Sequence, residues 1–249
     1  MLQFRDKSAT RDQSMTQGVI ESMSISIIIP TLNEAEGIAD LLATLQILRS
    51  QCEIIIADGG SSDNIQSNSV ALVDQFVCSN KGRAVQMNAG ARHATGDILV
   101  FLHADTYLPE QALTLIQQGI VAGALWGRFD MQLLGQHSML NIIALMMNWR
   151  SRLTGVATGD QVIFVKRSIF QQLGGFPEIA LMEDIAMSKQ LKKLARPYCI
   201  AAKVKSSARR WESFGVWRTI ALMWSIRLRY FLGESPDNLA QLYRLGKFW

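Results

Sequence analysis

Residues Ile98–Thr106, ILVFLHADT, decide how the rest of this 249-residue chain is read. An apolar run, Ile98 to Leu102, follows a Gly-Asp turn and ends in His103-Ala104-Asp105. A short, continuously apolar run of this kind predicts a strand buried on both faces. Open α/β sheets bind ligands in the crevice beyond the carboxyl ends of their strands. Asp105 is then carried to where an ion or phosphate would sit. It reads equally as a turn residue ahead of a helix after Pro109, because Asp is common at helix caps.

Working outward, the strand pattern repeats. Ile25 to Ile29 is expected to form a buried strand stopped by Pro30, which cannot donate to a central ladder. The loop Pro30-Thr31-Leu32-Asn33-Glu34 follows, and then a helix whose stripe Ile38, Leu41, Leu42, Leu45 and Leu48 marks core packing. Glu53 to Ala57 is a second strand closed by Asp58-Gly59-Gly60-Ser61-Ser62-Asp63, and Phe76 to Cys78 a short third. Lys81-Gly82-Arg83 opens a helix that carries Gln86, Asn88 and Gly90. Alternating strands and helices predict a mostly parallel sheet of right-handed βαβ units flanked by helices. Three strands ending in polar residues should then line one crevice.

The second half is less regular. Ala124 to Leu134 reads as a strand and Met139 to Trp149 as an apolar helix. Gly159-Asp160-Gln161 precedes a strand over Val162 to Val165, so polar residues here lead into a strand. Leu173 to Pro177 is a turn, and Glu183-Asp184 starts a helix running through Leu191.

Composition narrows the class. Hydrophobic residues make up 49% of the chain, which excludes wholesale disorder. The net charge of +4 is concentrated from Lys192 onward, where only Glu212, Glu234 and Asp237 oppose many Lys and Arg. A basic C-terminal third calls for an anionic partner or is simply a solvated face. Cys52, Cys78 and Cys199 form no CxxC pair, which fits reduced cytosolic thiols better than disulfides or a zinc site. No stretch reaches the roughly 18 apolar residues of a spanning helix, and no signal peptide is evident. Residues 1–22 are expected to be a polar tail, 23–205 the main domain and 206–249 a basic helical extension.

Taken together, PTLNE (Pro30 to Glu34), ADGGSSD (Ala57 to Asp63), KGRAVQMNAG (Lys81 to Gly90), FLHADT (Phe101 to Thr106), GDQ (Gly159 to Gln161) and Glu183-Asp184 resemble the GT-A glycosyltransferases of family 2. The extension, with SSARRWE (Ser206 to Glu212), is similar to a bacterial subgroup of small, soluble members. The resemblance implies an inverting, metal-dependent transferase using a UDP or GDP sugar and an unknown hydroxyl acceptor that is free or lipid-linked. It implies that Pro30, Thr31, Asn33 and Glu34 border the nucleotide, that Asp58 takes the base or ribose, and that Lys81 and Arg83 lie nearby. Asp105 would be the carboxylate that holds Mg²⁺ or Mn²⁺. Asp184, with Glu183 beside it, would take the proton from the acceptor. Gly159, Asp160 and Gln161 would shape the acceptor side.

The pattern departs from the family at two points. His103 replaces the first Asp of the metal motif and is open to three roles: metal ligand, donor to phosphate, or packing residue. Arg209-Arg210-Trp211 is similar to the QxxRW signature of processive relatives, but Ser207 replaces the Gln. Arg210 is expected near the diphosphate, while Trp211 either stacks on a sugar or closes the core.

Trp217, Ile220, Ala221, Trp224, Leu228 and Phe231 follow helical spacing with arginines between them. Such a helix packs on the domain, pairs with a second copy, or lies in a membrane interface. The expected setting is cytoplasmic, with peripheral contact at the inner membrane face, and no nucleic-acid partner. Two rivals remain. A sugar nucleotidyltransferase would want a glycine- and Lys/Arg-rich loop after the first strand, where this chain has PTLNE. A non-catalytic nucleotide-sugar or membrane-binding module would need no base at Asp184.

Overall fold

Alternate residues of the central strands enter opposite cores. Ile27, Ile29, Ile54, Ile56, Val100 and Leu102 belong to one apolar cluster, while Ile28, Ile55, Leu99 and Phe101 belong to another. A strand that buries both faces must lie inside a three-layer α/β sandwich, and this one does. The structure is a computed structural model that describes residues 23–246; the tail expected over 1–22 lies outside the described residues.

Among the described residues eight strands form one sheet in the order β3-β2-β1-β4-β7-β6-β8-β5. They are β1 (Ile25–Thr31), β2 (Cys52–Asp58), β3 (Gln75–Cys78), β4 (Ile98–Phe101), β5 (Thr106–Tyr107), β6 (Trp126–Leu134), β7 (Ile163–Lys166) and β8 (Tyr198–Ser207). Helices α1 (Ala35–Leu45), α2 (Ile65–Ser69), α3 (Arg83–His93), α4 (Ala112–Val121) and α5 (Met139–Thr154) alternate with the earlier strands. They are followed by α6 (Arg167–Gln172), α7 (Glu183–Leu191), α8 (Arg209–Phe214), α9 (Val216–Phe231) and α10 (Pro236–Leu245).

Strands β1 to β4 are parallel, so the ends of β1, β2 and β4 share one edge. β7 runs antiparallel to β4, with Ile163 opposite Phe101. That reversal explains why the Gly159–Gln161 turn precedes its strand: the start of β7 lies beside the end of β4.

Two local expectations are revised. Pro30 does not stop β1, which continues to Thr31. Ile28 pairs with β4 and its carbonyl accepts the Leu102 N–H, so Pro30, two residues on, faces a neighbour that has already ended. β5 and β8 were not anticipated. They pair antiparallel through Thr106 with Ser206 and Tyr107 with Lys205, and the 205/206 division falls inside β8.

Helix α3 lies close on the sheet because of Gly90. A Cβ there would stand 2.5 Å from Ile28 Cγ2, a distance that only glycine avoids. At the other end of the chain, Leu222 and Ile226 of α9 and Leu239 of α10 form a third cluster with Met182 and Ile185. The C-terminal helices are thereby packed onto the first turn of α7.

Candidate active site

The loops expected on the nucleotide side are tied to each other by side chains of the motifs. Asn33 N–H donates to Ser61 Oγ at 2.8 Å, and Asn33 Oδ1 accepts from Ser62 N–H at 2.8 Å. Asp58 is buried, and its carboxylate accepts from Thr31 Oγ1 (3.1 Å), Gly60 N–H (3.0 Å), Ser61 N–H (2.8 Å) and Ser61 Oγ (2.5 Å). Those four bonds fill a carboxylate's usual capacity of about four acceptor positions. Gln86 of α3 staples the two strand ends, its Nε2 donating to the carbonyls of Thr31 (2.5 Å) and Ala57 (3.2 Å). Lys81 is exposed just ahead of α3.

Asp105 is half-buried beyond β4, with its carbonyl accepting Ser207 N–H at 3.0 Å. Thr106 Oγ1 donates to Ser206 Oγ at 3.1 Å, so β8 fixes the segment on which Asp105 sits. Arg209 Nη2 lies 3.2 Å from Glu34 Oε2 and 3.6 Å from Asp105 Oδ2, spanning the loops after β1 and β4. Sequence reading did not single out Arg209; it favoured its neighbour Arg210. Arg210 instead donates to the Tyr243 carbonyl and stacks 3.5 Å from the Tyr243 ring centroid. Trp211 is half-buried against the main core. The double Arg is the available signal: on successive helical residues the two side chains point about 100° apart, so only one faces the crevice.

The segments expected on the acceptor side converge on the start of α7. Asp184 Oδ2 accepts Gly159 N–H at 2.9 Å, and its Oδ1 accepts Ile185 N–H at 2.7 Å. Gly159 lies against the His103 ring: a Cβ at Gly159 would stand 2.2 Å from Nε2. Burial, with the Arg83 charge second, pushes the His103 imidazole down to about 3, so it is neutral at physiological pH. Glu183 is deeply buried and pairs with Arg83 at 3.3 Å. Burial and the neighbouring Asp184 raise its carboxyl above the usual range, with Arg83 opposing them. Arg83 thus lies on the Glu183 side. Gln161 is fully buried; its Oε1 accepts Thr158 N–H at 3.3 Å and its Nε2 donates to Asn148 Oδ1 at 3.3 Å, so it pins the turn to α5. Asn88 of α3 exchanges bonds with Phe176, donating to its carbonyl and accepting its N–H, both at 2.9 Å. It thereby holds the loop that leads to Glu183.

Backbone strain follows the same map. Among the described residues, the non-glycine positions with positive φ are Asn33 (55°), Val162 (51°) and Met182 (71°). Each lies in, or directly against, one of the three crevice segments. Such conformations cost on the order of 1–3 kcal/mol each and persist where surrounding structure imposes them, often at functional sites.

A divalent ion fits this donor set only with outside oxygens. Among the described residues no three His, Cys, Asp or Glu side chains cluster to hold one. Mg²⁺ and Mn²⁺ at phosphate sites are typically held by one or two carboxylates plus the phosphates themselves. Asp105, with the neutral His103 two residues before it, meets that requirement.

A mixed sheet with Asp58 at the end of β2, Asp105 beyond β4 and Asp184 at the start of α7 has the GT-A fold of glycosyltransferases, shared with the solved structures below. Residues 26–173, more than half the chain, match the family described as glycosyl transferase family 2, and the chain belongs to it. It is 24% identical to a probable glycosyltransferase, YdaM, of Bacillus subtilis, over 91% of this chain and 60% of that protein. It is 28% identical to the poly-beta-1,6-N-acetyl-D-glucosamine synthase of Staphylococcus aureus, over 92% and 59%. The chain therefore spans about three fifths of the length of these relatives. Several solved structures share its fold. TarS of S. aureus has a TM-score of 0.61 at 18% identity, covering 80% of this chain and 65% of that one. The mannosyltransferase PcManGT of Pyrobaculum calidifontis, solved with GDP-Man and Mn²⁺, also has a TM-score of 0.61 at 18% identity, covering 88% and 67%. Glucosyl-3-phosphoglycerate synthase of Mycobacterium tuberculosis, solved with Mn²⁺, UDP and phosphoglyceric acid, has a TM-score of 0.57 at 17% identity, covering 78% and 72%.

Proposed function

We propose that this protein is an inverting glycosyltransferase that moves a sugar from a UDP or GDP sugar to an acceptor hydroxyl. The observation that carries the reading is the Gly159–Asp184 hydrogen bond. It fixes a carboxylate at the start of β7, beside the end of β4, from which Asp105 projects. Base and leaving-group sides are thus built on adjacent strand ends.

The chain's own residues divide the work. The loop of Thr31, Asn33 and Glu34 forms the nucleotide wall, and Asp58 supports it by ordering the Ser61-Ser62 turn. Asp105, with His103, would hold Mg²⁺ or Mn²⁺, which when bound supplies charge to stabilise the departing diphosphate. Arg209 reaches the same place and adds a guanidinium suited to phosphate oxygens. Each Asp184 oxygen keeps a lone pair beyond its backbone bond. One of them accepts the proton of the acceptor hydroxyl as that oxygen attacks the anomeric carbon. The bond from that carbon to the diphosphate oxygen breaks, and nucleoside diphosphate leaves. One displacement inverts the centre. Glu183 and Arg83 position Asp184's helix from behind. The exposed apolar side of α9 supports peripheral contact with a membrane, where a lipid-linked acceptor would reside.

Calorimetric titration of UDP and GDP with and without Mn²⁺ tests the donor half. One nucleotide should bind with metal, and Asp105→Ala should remove the metal dependence. Asp184→Asn should keep that binding while transfer falls by about 10²–10⁴-fold, the usual worth of a positioned base. Failure of both nucleotides to bind under any metal would overturn the reading.

A further inference from the structure

Arg150 is used by nothing described so far. It lies near the end of α5, and its Nε and Nη2 are buried without a hydrogen-bond partner. Two residues before it, Asn148 is locked to β6, its Oδ1 accepting from Met131 N–H and its Nδ2 donating to the Met131 carbonyl, both at 2.9 Å. Gln161 bonds the same Asn148, so α5 and the Gly159–Gln161 turn are one rigid unit. Asp160, in that turn, also carries a buried oxygen, Oδ1, without a partner.

The charges around these groups do not cancel. Burial first, and then the charge of Arg227 of α9, push the Arg150 guanidinium down to about 10, against the opposing charges of Asp160 and Asp184. Burial raises the Asp160 carboxyl and Asp184 adds to the rise, while a hydrogen bond from Thr158 and the charges of Arg150 and Arg227 oppose it. Asp184 already accepts two backbone N–H groups. Arg150 and Arg227 form no ion pair among the described residues. Guanidinium nitrogens buried with unmet donors are costly unless an acceptor arrives. Its planar fork suits two oxygens of one oxyanion.

We infer that Arg150 and Arg227 form an anion subsite on the acceptor side, so that the acceptor carries a phosphate group a few bonds from the hydroxyl that attacks. Asp160 Oδ1 accepts a hydrogen bond from a further hydroxyl of that acceptor. This deepens the glycosyltransferase reading and rests on it for the word acceptor; the anion site itself stands on the orphaned nitrogens. The phosphate comes from a soluble phosphate ester or from a lipid headgroup, and the chemistry at Arg150 is the same.

The test uses the full chain, without metal, and titrates glycerol 3-phosphate against glycerol, alongside vesicles of phosphatidylglycerol against phosphatidylcholine. Wild type should bind the phosphate ester or the anionic vesicles and ignore the neutral counterpart. Arg150→Met and Arg227→Met should each weaken that binding at least tenfold, while Arg209→Met leaves it within twofold. Binding of UDP or GDP with Mn²⁺ should show the reverse sensitivity. Arg150→Lys, which keeps the charge but not the fork, should lose a smaller part and guards against a folding defect, with thermal melting as the control. Ester binding assigns a soluble source and vesicle binding alone a lipid one. Equal affinity in wild type and both Met variants would overturn the subsite. Arg150-dependent phosphate binding without any nucleotide binding would instead sink the transferase reading and leave the anion site standing.

Discussion

At Gly159 one missing methyl group keeps two functional side chains in place. Its N–H holds Asp184, and its open Cα face holds the neutral ring of His103. Gly159→Ala must displace one of them, since 2.2 Å is far inside contact distance. The expected cost is about 1–3 kcal/mol of stability from overpacking. Transfer should drop at least tenfold while nucleotide binding is retained; loss of nucleotide binding in parallel would show the effect to be global. Glu183 makes a pH prediction. Its folded carboxyl is raised above its ordinary 4.5, chiefly by burial and then by Asp184. A raised acid contributes stability that is present below the unfolded value and lost as pH rises through the folded one. Wild type should therefore lose stability relative to Glu183→Gln as pH climbs from about 4.5 towards neutrality. Urea midpoints at the two ends check the sign, and a parallel course for both proteins would refute it.

Between elements, the crevice depends on staples that cross from helix to strand end. Gln86 joins β1 to β2, and replacing it with Leu removes the side-chain donor shared by the Thr31 and Ala57 carbonyls, although the Thr31 carbonyl keeps the Gly59 N–H. Gln86→Leu should cost about 0.5–1.5 kcal/mol for each hydrogen bond lost. It should also weaken nucleotide binding more than it affects Asp184-side chemistry, a split that single-turnover transfer at saturating donor would reveal. The elements around this staple were legible in the sequence because their signals are local: short, Ile-rich or otherwise apolar runs for β1, β2 and β4, and a carboxylate pair at the start of α7. β5 and β8 were not. β5 has two residues and exists only because Ser206 and Lys205 arrive from about a hundred residues away. β8 carries Lys203 and Lys205 outward and buries only Ile200, Val204 and Ser206, so its alternation hides in a basic stretch. Missing β8 also hid Arg209, since the pairing of β8 with β5 and β6 brings the start of α8 over Asp105. The polar turn ahead of β7 looked out of place for the same reason: strand direction is decided by pairing, which single-strand patterns do not encode.

Over the whole molecule, the C-terminal helices do two things at once. The inward side of α9, with Leu222 and Ile226, packs on Met182 and Ile185 and so braces the Asp184 turn. The outward side leaves Trp217, Trp224 and Phe231 65–78% exposed, joined by Leu145, Met146 and Trp149 of α5. Among the described residues no helix is long and apolar enough to cross a membrane. Solvent-facing tryptophans on a helix that also carries arginines suit an interface between water and lipid, where the ring is half immersed and the cations meet anionic headgroups. Trp217→Ser with Trp224→Ser should therefore cut binding to phosphatidylglycerol vesicles at least tenfold. Melting should shift little, because neither ring is in the core. Wild-type tryptophan emission should move to the blue on vesicle addition. If the vesicles leave emission unchanged, and sedimentation instead shows a wild-type dimer that the double variant loses, the face is covered by a second copy. In that case the acceptor side would open at a subunit boundary and not at a membrane.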